Sequence, residues 1–224
     1  MNELNRQSRS ALKRIFAPLV AKRLIEERGI FLRLRQARRT YAKLRLLDTM
    51  GIRQFNPPSL PHGACSFLFV CHGNIMRSPM AELMLRHALS QSHQEGIAVS
   101  SAGIHATPGT EAHPRARVAA REFGLLLDQH RSKLLTVEMI ANADAVFAMD
   151  FQNQAELLTH SPQARDKIFL LSNYAEGKQR GRPIPDPYFG DQDETSGCYT
   201  VLQTCVNNLA ESILQTGKRA ATLR

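Results

Sequence analysis

The sequence predicts an α/β fold: a four-stranded parallel sheet with flanking helices in a three-layer sandwich, preceded by a basic helical N-terminal extension. Two observations support this prediction. Four short apolar runs have the length of buried strands, and segments with helical spacing of apolar residues separate them. Strands that alternate with helices in this way build parallel sheets with right-handed crossovers. Ligands of such sheets bind at the carboxyl ends of the strands.

The N-terminal segment carries the positive charge of the chain. Residues 1–56 hold 3 Lys and 11 Arg against four acidic residues, a net of +10, while the whole chain has a net charge of +9. The rest is therefore nearly neutral, and with no recognised DNA-binding motif in the segment we expect no nucleic acid partner. Apolar residues at helical spacing predict two amphipathic helices here, marked by Ile15, Phe16, Leu19, Leu24 and Ile25 and by Phe31, Leu34, Tyr41, Leu44 and Leu47.

The domain organisation follows from this charge asymmetry and from a proline-rich stretch. Residues 1–56 form the extension, 57–64 a linker, 65–217 the α/β domain and 218–224 a tail. Three roles fit the extension: peripheral binding to an anionic membrane with Phe16, Leu19, Phe31 and Leu34 in the lipid, docking of a protein partner, or an organellar presequence. A solvated extension without a role is the alternative.

Beyond the linker, each element follows from local sequence patterns. The apolar runs predict strands at Ser66–Cys71, Ile97–Ser101, Ala145–Met149 and Ile168–Leu171. Helical spacing predicts helices from Ser78-Pro79 to about Gln91, over His113–Phe123, near Gln152–Thr159 and from Glu194 to Leu214, with a long loop over 173–193.

The four cysteines have no spacing that is typical of a zinc site, so no metal is expected. The sequence shows no secretory h-region, and we expect a cytoplasmic protein with free thiols. Cys198 and Cys205 lie seven apart in a helical pattern and are interpreted as core residues.

Cys71 differs from the other cysteines because it begins a loop suited to phosphate. Five residues separate it from Arg77 and Ser78, at a junction of strand and helix. Such a junction supplies backbone N–H donors and a helix N-terminus. Gly73 and Asn74 permit tight loop conformations, and the planar guanidinium of an arginine can hold two phosphate oxygens.

The same surroundings favour a nucleophilic thiolate. A cysteine at a helix N-terminus beside an arginine is stabilised in its ionised form, and the Ser78 hydroxyl is placed to donate to the sulfur. A thiolate can attack phosphorus and form a phosphocysteine intermediate.

Val70–Glu82 closely resembles the phosphate-binding loop of the low-molecular-weight protein tyrosine phosphatases, and the likeness covers about residues 65–215. The resemblance implies a four-stranded parallel sheet, a phosphotyrosine protein substrate and no cofactor. Carried over by position, Cys71 is the nucleophile, Arg77 clamps the phosphate, and Asn74 and Ser78 organise the loop. Backbone N–H groups bind the phosphate along the loop, which comprises His72, Gly73, Asn74, Ile75, Met76, Arg77 and Ser78.

A phosphotyrosine hydrolase also needs an acid for the leaving oxygen and a base for water. Asp186 is the predicted residue, because Pro185 and Pro187 stiffen its backbone and the family places its acid in a similar Asp-Pro-aromatic segment. Asp191 and Asp193 are the rivals. Tyr188 and Phe189 are expected to form an aromatic wall beside the pocket.

Three further positions have counterparts in the family. Ser101 ends the second strand and is expected to support the Cys71 loop. Asp150 and Asn153 follow the third strand and start the next helix; a helix N-cap is the alternative role for Asp150.

Several positions differ from the family pattern and leave alternative functions open. Met76 stands where many members have a second cysteine, so an intraloop disulfide is impossible and Cys65 is a conditional partner. Arsenate reduction, which uses further cysteines, is one alternative, and a phosphate-binding module without catalysis is another. Arginine phosphatases tend to have Thr at the position of Ile75. His105-Ala106-Thr107 replaces a large aromatic wall, which predicts a more open pocket.

Overall fold

The computed structural model describes residues 34–52, 60–61, 63–92 and 96–222. The first amphipathic helix of the extension and half of the linker lie outside these residues. The described elements are α1 (Arg38–Thr49), β1 (Ser66–Cys71), α2 (Arg77–Gln91), β2 (Ala98–Gly103), α3 (Pro114–Glu122), α4 (Val137–Asn142), β3 (Ala145–Ala148), α5 (Phe151–His160), β4 (Ile168–Leu170) and α6 (Gln192–Thr222).

The sheet has the strand order β2-β1-β3-β4, and all its pairs are parallel. β1 is central, so its carboxyl end lies between the ends of β2 and β3. Cys71 is in register with Gly103 of β2, and Val70 with Ala148 of β3. The strand order reverses direction at β1, which is where ligands bind in sheets of this kind.

Alternating side chains of the sheet enter two separate cores. Phe67, Phe69 and Cys71 face a larger core that is completed by α2, α3 and α6. Leu68 and Val70 face a smaller core formed with α4, α5 and the segment around α1. The predicted fold, a four-stranded parallel sheet with helices on its faces, is confirmed.

Most predicted elements differ from the observed ones by one or two residues at an end, and two helices differ more. Helix α4 was not predicted because six residues are too few to show helical periodicity; its start is fixed by Thr136, whose side chain accepts a hydrogen bond from the Met139 N–H. Helix α6 begins two residues earlier than predicted and extends to Thr222. Asp191 directly precedes it, and its Oδ1 accepts a hydrogen bond from the Glu194 N–H at 2.8 Å.

The described part of the N-terminal extension packs onto the α/β layers. Leu34, Ala37 and Tyr41 are buried in the smaller core against α5, and the hydroxyls of Thr40 and Thr159 lie 3.4 Å apart. The expectation that Leu34 inserts into lipid is therefore wrong, because the side chain is already covered by protein. None of the helices in the described ranges is long and apolar enough to cross a membrane.

Candidate active site

The loop from His72 to Met76 joins the end of β1 to the start of α2, and it forms one wall of a cavity of about 370 Å³. Residues from three parts of the chain complete the lining. The loop contributes Cys71, His72, Gly73, Ile75, Met76 and Arg77, the start of α5 contributes Asp150, Gln152 and Asn153, and the segment before α6 contributes Asp186, Tyr188 and Phe189.

The Cys71 sulfur is nearly buried and receives two polar contacts. Its Sγ lies 3.1 Å from the Ser78 Oγ and 3.2 Å from the Asn74 backbone nitrogen, which donates to it. Donors that point at a sulfur favour its thiolate form, because they stabilise negative charge there.

Asn74 determines which way the Ser78 hydroxyl points. The Asn74 Oδ1 accepts a hydrogen bond from the Lys133 backbone N–H at 2.8 Å, which fixes the orientation of the amide. The Asn74 Nδ2 then donates to the hydroxyls of Ser78 and Ser101, each at 2.8 Å. Because Ser78 accepts from Asn74, its own proton is available for the Cys71 sulfur.

Ser101 closes this network at the end of β2. Its hydroxyl accepts from Asn74 and donates to the Glu82 Oε2 at 2.6 Å. The structure thus brings Ser101 to the Cys71 loop, as the sequence analysis expected. Glu82 completes the chain of hydrogen bonds from α2, a role that the sequence analysis did not foresee.

The loop backbone is also held by residues that the sequence analysis missed. The His130 Nε2 lies 2.7 Å from the Asn74 carbonyl oxygen, and the Tyr199 hydroxyl donates to the Met76 carbonyl oxygen at 3.1 Å. Gly103 lies so close that a Cβ there would be 2.8 Å from loop backbone atoms. Only a glycine fits at this position, and the sequence signal was the glycine at the end of the Ser-Ser-Ala-Gly strand.

Arg77 is buried at the first position of α2 and makes ion pairs with two carboxylates. Its Nη1 donates to the Asp150 Oδ2 at 2.7 Å, and its Nη2 donates to the Asp186 Oδ2. Burial lowers the pKa of Arg77, but the two carboxylates outweigh burial and hold that pKa above its ordinary value. The guanidinium is therefore a permanent cation inside the cavity.

Asp150 caps a helix, which was the alternative role that the sequence offered, and it also pairs with Arg77. Its Oδ1 accepts a hydrogen bond from the Asn153 backbone N–H at 2.8 Å and so caps α5. Its Oδ2 pairs with Arg77. Asn153 is buried in the first turn of α5 and lines the cavity.

Asp186 is the second carboxylate partner of Arg77. It lies at the start of a short 3-10 helix over Pro187–Phe189. Its Oδ1 accepts a hydrogen bond from the Tyr188 N–H at 3.2 Å, and its side chain is 41% exposed. A carboxyl group in this position can reach both a bound substrate and water. The rival Asp191 is occupied as the cap of α6.

Two aromatic side chains form the outer rim of the cavity. Tyr188 and Phe189 are exposed and contact each other edge to face, with ring centroids 5.0 Å apart. The ring of His113 contacts Tyr188 at 5.7 Å, and Arg115 donates to the Tyr188 carbonyl oxygen. The predicted aromatic wall is thus present beside the cavity.

Of the remaining cysteines, one lies far from Cys71 and the other two are buried in the core. Cys65 precedes β1 at the strand's other end, about 20 Å away, whereas a disulfide needs Cα atoms within about 7 Å. Cys65 is therefore excluded as a disulfide partner. Cys198 and Cys205 lie in the larger core, and burial raises the pKa of each thiol to about 12.

Across the described ranges, no three His, Cys, Asp or Glu side chains are grouped closely enough to hold a metal ion.

Comparisons with known proteins agree with this geometry. A family model for low molecular weight phosphotyrosine protein phosphatases matches residues 66–219. The low molecular weight protein-tyrosine-phosphatase Etp of Escherichia coli K12 is 34% identical over 148 residues, covering 66% of this chain and 94% of Etp. A protein-arginine-phosphatase of Geobacillus stearothermophilus is 34% identical over 146 residues, covering 65% of this chain and 94% of the relative.

Among solved structures, the tyrosine phosphatase Wzb from Escherichia coli K30 in complex with sulphate aligns with a TM-score of 0.61 at 28% identity. The alignment covers 67% of this chain and 99% of Wzb. The chain is an enzyme of the hydrolase class and belongs to the low molecular weight phosphotyrosine protein phosphatase family.

Proposed function

We propose that the chain hydrolyses phosphotyrosine in proteins through a phosphocysteine intermediate on Cys71. The observation that carries the proposal is the setting of this sulfur: it lines the cavity, accepts a hydrogen bond from the Asn74 N–H and lies 3.1 Å from the Ser78 hydroxyl. The cation of Arg77 and the carboxyl group of Asp186 line the same cavity. A nucleophile, a phosphate clamp and an acid are thereby within reach of one substrate.

In the first step, the phosphate binds to the loop N–H groups and to the Arg77 guanidinium. Asp150 holds one side of the guanidinium, so the Nη2 can exchange its contact with Asp186 for a phosphate oxygen. The sulfur then attacks phosphorus, an S–P bond forms and the P–O bond to tyrosine breaks. Protonated Asp186 gives its proton to the leaving phenolate oxygen.

In the second step, water attacks the phosphocysteine. Asp186, now ionised, accepts a proton from the water, the S–P bond breaks and inorganic phosphate leaves. The partial exposure of Asp186 supports this second role, because its carboxylate is accessible to solvent.

The test uses p-nitrophenyl phosphate and a phosphotyrosine peptide. Cys71→Ser should abolish hydrolysis but retain phosphate binding, since the loop donors and Arg77 remain. Asp186→Asn should slow substrates with poor leaving groups most, because these depend most on protonation. Normal turnover by Cys71→Ser would refute the proposal.

Phosphotyrosine is proposed over phosphoarginine, although relatives named for both activities are equally identical to this chain. Ile75 presents a branched apolar side chain to the cavity, and Tyr188 and Phe189 offer rings on which an aryl group can stack. Matched peptides that carry either phosphorylated residue would decide. Ile75→Thr should raise the phosphoarginine rate relative to the phosphotyrosine rate; faster hydrolysis of phosphoarginine by the unmodified chain would reverse the assignment.

Arsenate reduction is the weaker alternative, because it requires further reactive cysteines. Cys198 and Cys205 are buried in α6 and their thiols remain protonated at neutral pH, since burial raises their pKa values. A thioredoxin-coupled arsenate assay should give no turnover. Metal-free hydrolysis of p-nitrophenyl phosphate would likewise exclude a module that only binds phosphate.

We also propose that the chain acts in the cytoplasm at an anionic membrane surface. Arg39, Lys43, Leu46 and Met50 recur at helical spacing on the exposed side of α1 and combine cations with apolar side chains. Full-length chain should sediment with anionic but not with neutral vesicles. Arg39→Glu with Lys43→Glu should weaken this binding by at least about tenfold. Absence of vesicle binding would favour a protein partner.

A further inference from the structure

Two imidazole rings lie together beside the active-site cavity. His72 lines the cavity, and its ring centroid is 4.7 Å from that of His105, with an angle of 42° between the rings. The His105 backbone N–H donates to the His72 carbonyl oxygen at 2.9 Å, so the pair is fixed through the backbone as well. Both side chains are exposed to solvent.

A buried carboxylate anchors one of these rings. The Glu156 Oε2 lies 2.6 Å from the His105 Nε2, and the Glu156 side chain is only 7% exposed. Gln152, which also lines the cavity, donates to the Glu156 Oε1 at 3.3 Å. A buried carboxylate is costly unless it is paired, and the His105 ring is the partner of Glu156 here.

The two carboxylates that act on His72 are each paired with another group, so neither is a direct partner for a positive charge on the His72 ring. The groups that act on it are His105, Glu156, Asp186 and Arg77. Asp186 is paired with Arg77, and Glu156 with His105. His160, on the same helix as Glu156, contacts only the Glu156 backbone among these groups.

Two imidazolium rings at this separation would repel each other, and an anion bound beside both rings would relieve that repulsion. Burial, and then the neighbouring His105, lower the pKa of His72. Binding of an anion and protonation of the pair should therefore favour each other.

We infer that His72 and His105 form an anion subsite, which binds a carboxylate or a second phosphoryl group on a residue adjacent to the substrate's phosphotyrosine. The inference rests on the proposed function, because it concerns the substrate of that same cavity. The preference of the subsite for an acidic residue next to the phosphotyrosine should be present below about pH 6.5, where histidine side chains become charged. This preference should be lost as the pH rises.

The test compares three phosphotyrosine peptides that differ at one residue flanking the phosphotyrosine. That residue is Gln, Glu or a non-hydrolysable phosphonate analogue of phosphotyrosine. The measured quantity is the ratio of kcat/KM for each anionic peptide to that for the Gln peptide. Any effect of pH that is common to all three peptides cancels from the ratio.

For the wild type we expect a ratio of about three to five at about pH 5.5 and about one at about pH 8. His72→Gln and His105→Gln should each bring the ratio measured at about pH 5.5 close to one. His87→Gln is the matched control, because His87 is exposed in the second half of α2, and it should keep the preference.

A ratio near one at both pH values, or a preference that survives both subsite substitutions, would overturn the inference. A preference for only one anionic peptide would support it and identify the anion. Failure of the proposed function would look different, since then no peptide and no p-nitrophenyl phosphate would be hydrolysed.

Discussion

Replacement of Asn74 should separate the two tasks of this residue, which are to orient hydroxyl groups and to adopt a left-handed backbone. Asn74 has a φ of 54° and is the only described residue other than glycine with a positive φ. Asn74→Ala removes the side-chain amide and places a Cβ on a strained backbone. Asn74→Gly removes the same amide but leaves the backbone unstrained.

The expected loss of stability follows from the contacts. The buried amide makes three hydrogen bonds, with Lys133, Ser78 and Ser101. At about 0.5–1.5 kcal/mol each, their loss should cost about 1.5–4.5 kcal/mol in either variant. The left-handed conformation costs alanine about 1–2 kcal/mol more, of which the entropy of glycine offsets part. Asn74→Ala should therefore be about 1 kcal/mol less stable than Asn74→Gly.

Activity should fall in both variants for one reason. Without the amide, the Ser78 proton is no longer directed to the Cys71 sulfur, and the thiolate loses a donor. We expect kcat for p-nitrophenyl phosphate to fall by about 10- to 100-fold, the lower end of effects seen when a charge-stabilising donor is lost.

Urea denaturation followed by circular dichroism would measure the stability term, and the rate of Cys71 alkylation by iodoacetamide would report thiolate reactivity directly. Equal stability of the two variants would refute the strain argument. Unchanged kcat and alkylation rate in Asn74→Gly would refute the assignment of the hydroxyl proton.

Three other predictions concern residues around the loop. Gly103→Ala should reduce kcat at least about tenfold, because the new Cβ collides with the loop backbone. Gly197→Ala is the control: its Cβ meets open space, so this variant should be active and its stability should rise by up to about 1 kcal/mol. Tyr199→Phe should cost about 0.5–1.5 kcal/mol in urea denaturation, because the buried Met76 carbonyl oxygen loses one of its hydrogen bonds. Burial lowers the pKa of His130 in the folded chain, so the unfolded chain binds more protons below about pH 6.5 and the free energy of unfolding should decline with falling pH. His130→Gln should reduce the slope of the free energy of unfolding against pH. An unchanged slope would contradict the reasoning.

The strands and the Cys71 loop could be predicted because their signals are local. Ser66–Cys71 begins and ends as predicted, since five consecutive apolar residues follow Ser66 and stop before a His-Gly-Asn loop. The position of Asp186 was predictable from its two flanking prolines combined with the chemistry that Cys71 requires. In both cases the informative residues are adjacent in the sequence.

The supporting contacts could not be predicted because they join distant parts of the chain. His130 reaches Asn74 across 56 residues, and Glu156 reaches His105 across 51. Nothing near either residue indicates its partner, since the folded sheet alone brings them together. Asp150 shows a second limit: its sequence context suggested a helix cap, but the pairing of its other carboxylate oxygen with Arg77 became visible only in the structure.

The burial of Leu34, Ala37 and Tyr41 has a practical consequence for anyone who expresses this protein. The family match starts at residue 66, but these three side chains precede it and cover the α5 side of the smaller core. A fragment trimmed to residues 66–219 would expose that apolar surface to water and to other copies of itself. Its poor solubility would then reflect where it was cut rather than any weakness of the phosphatase fold.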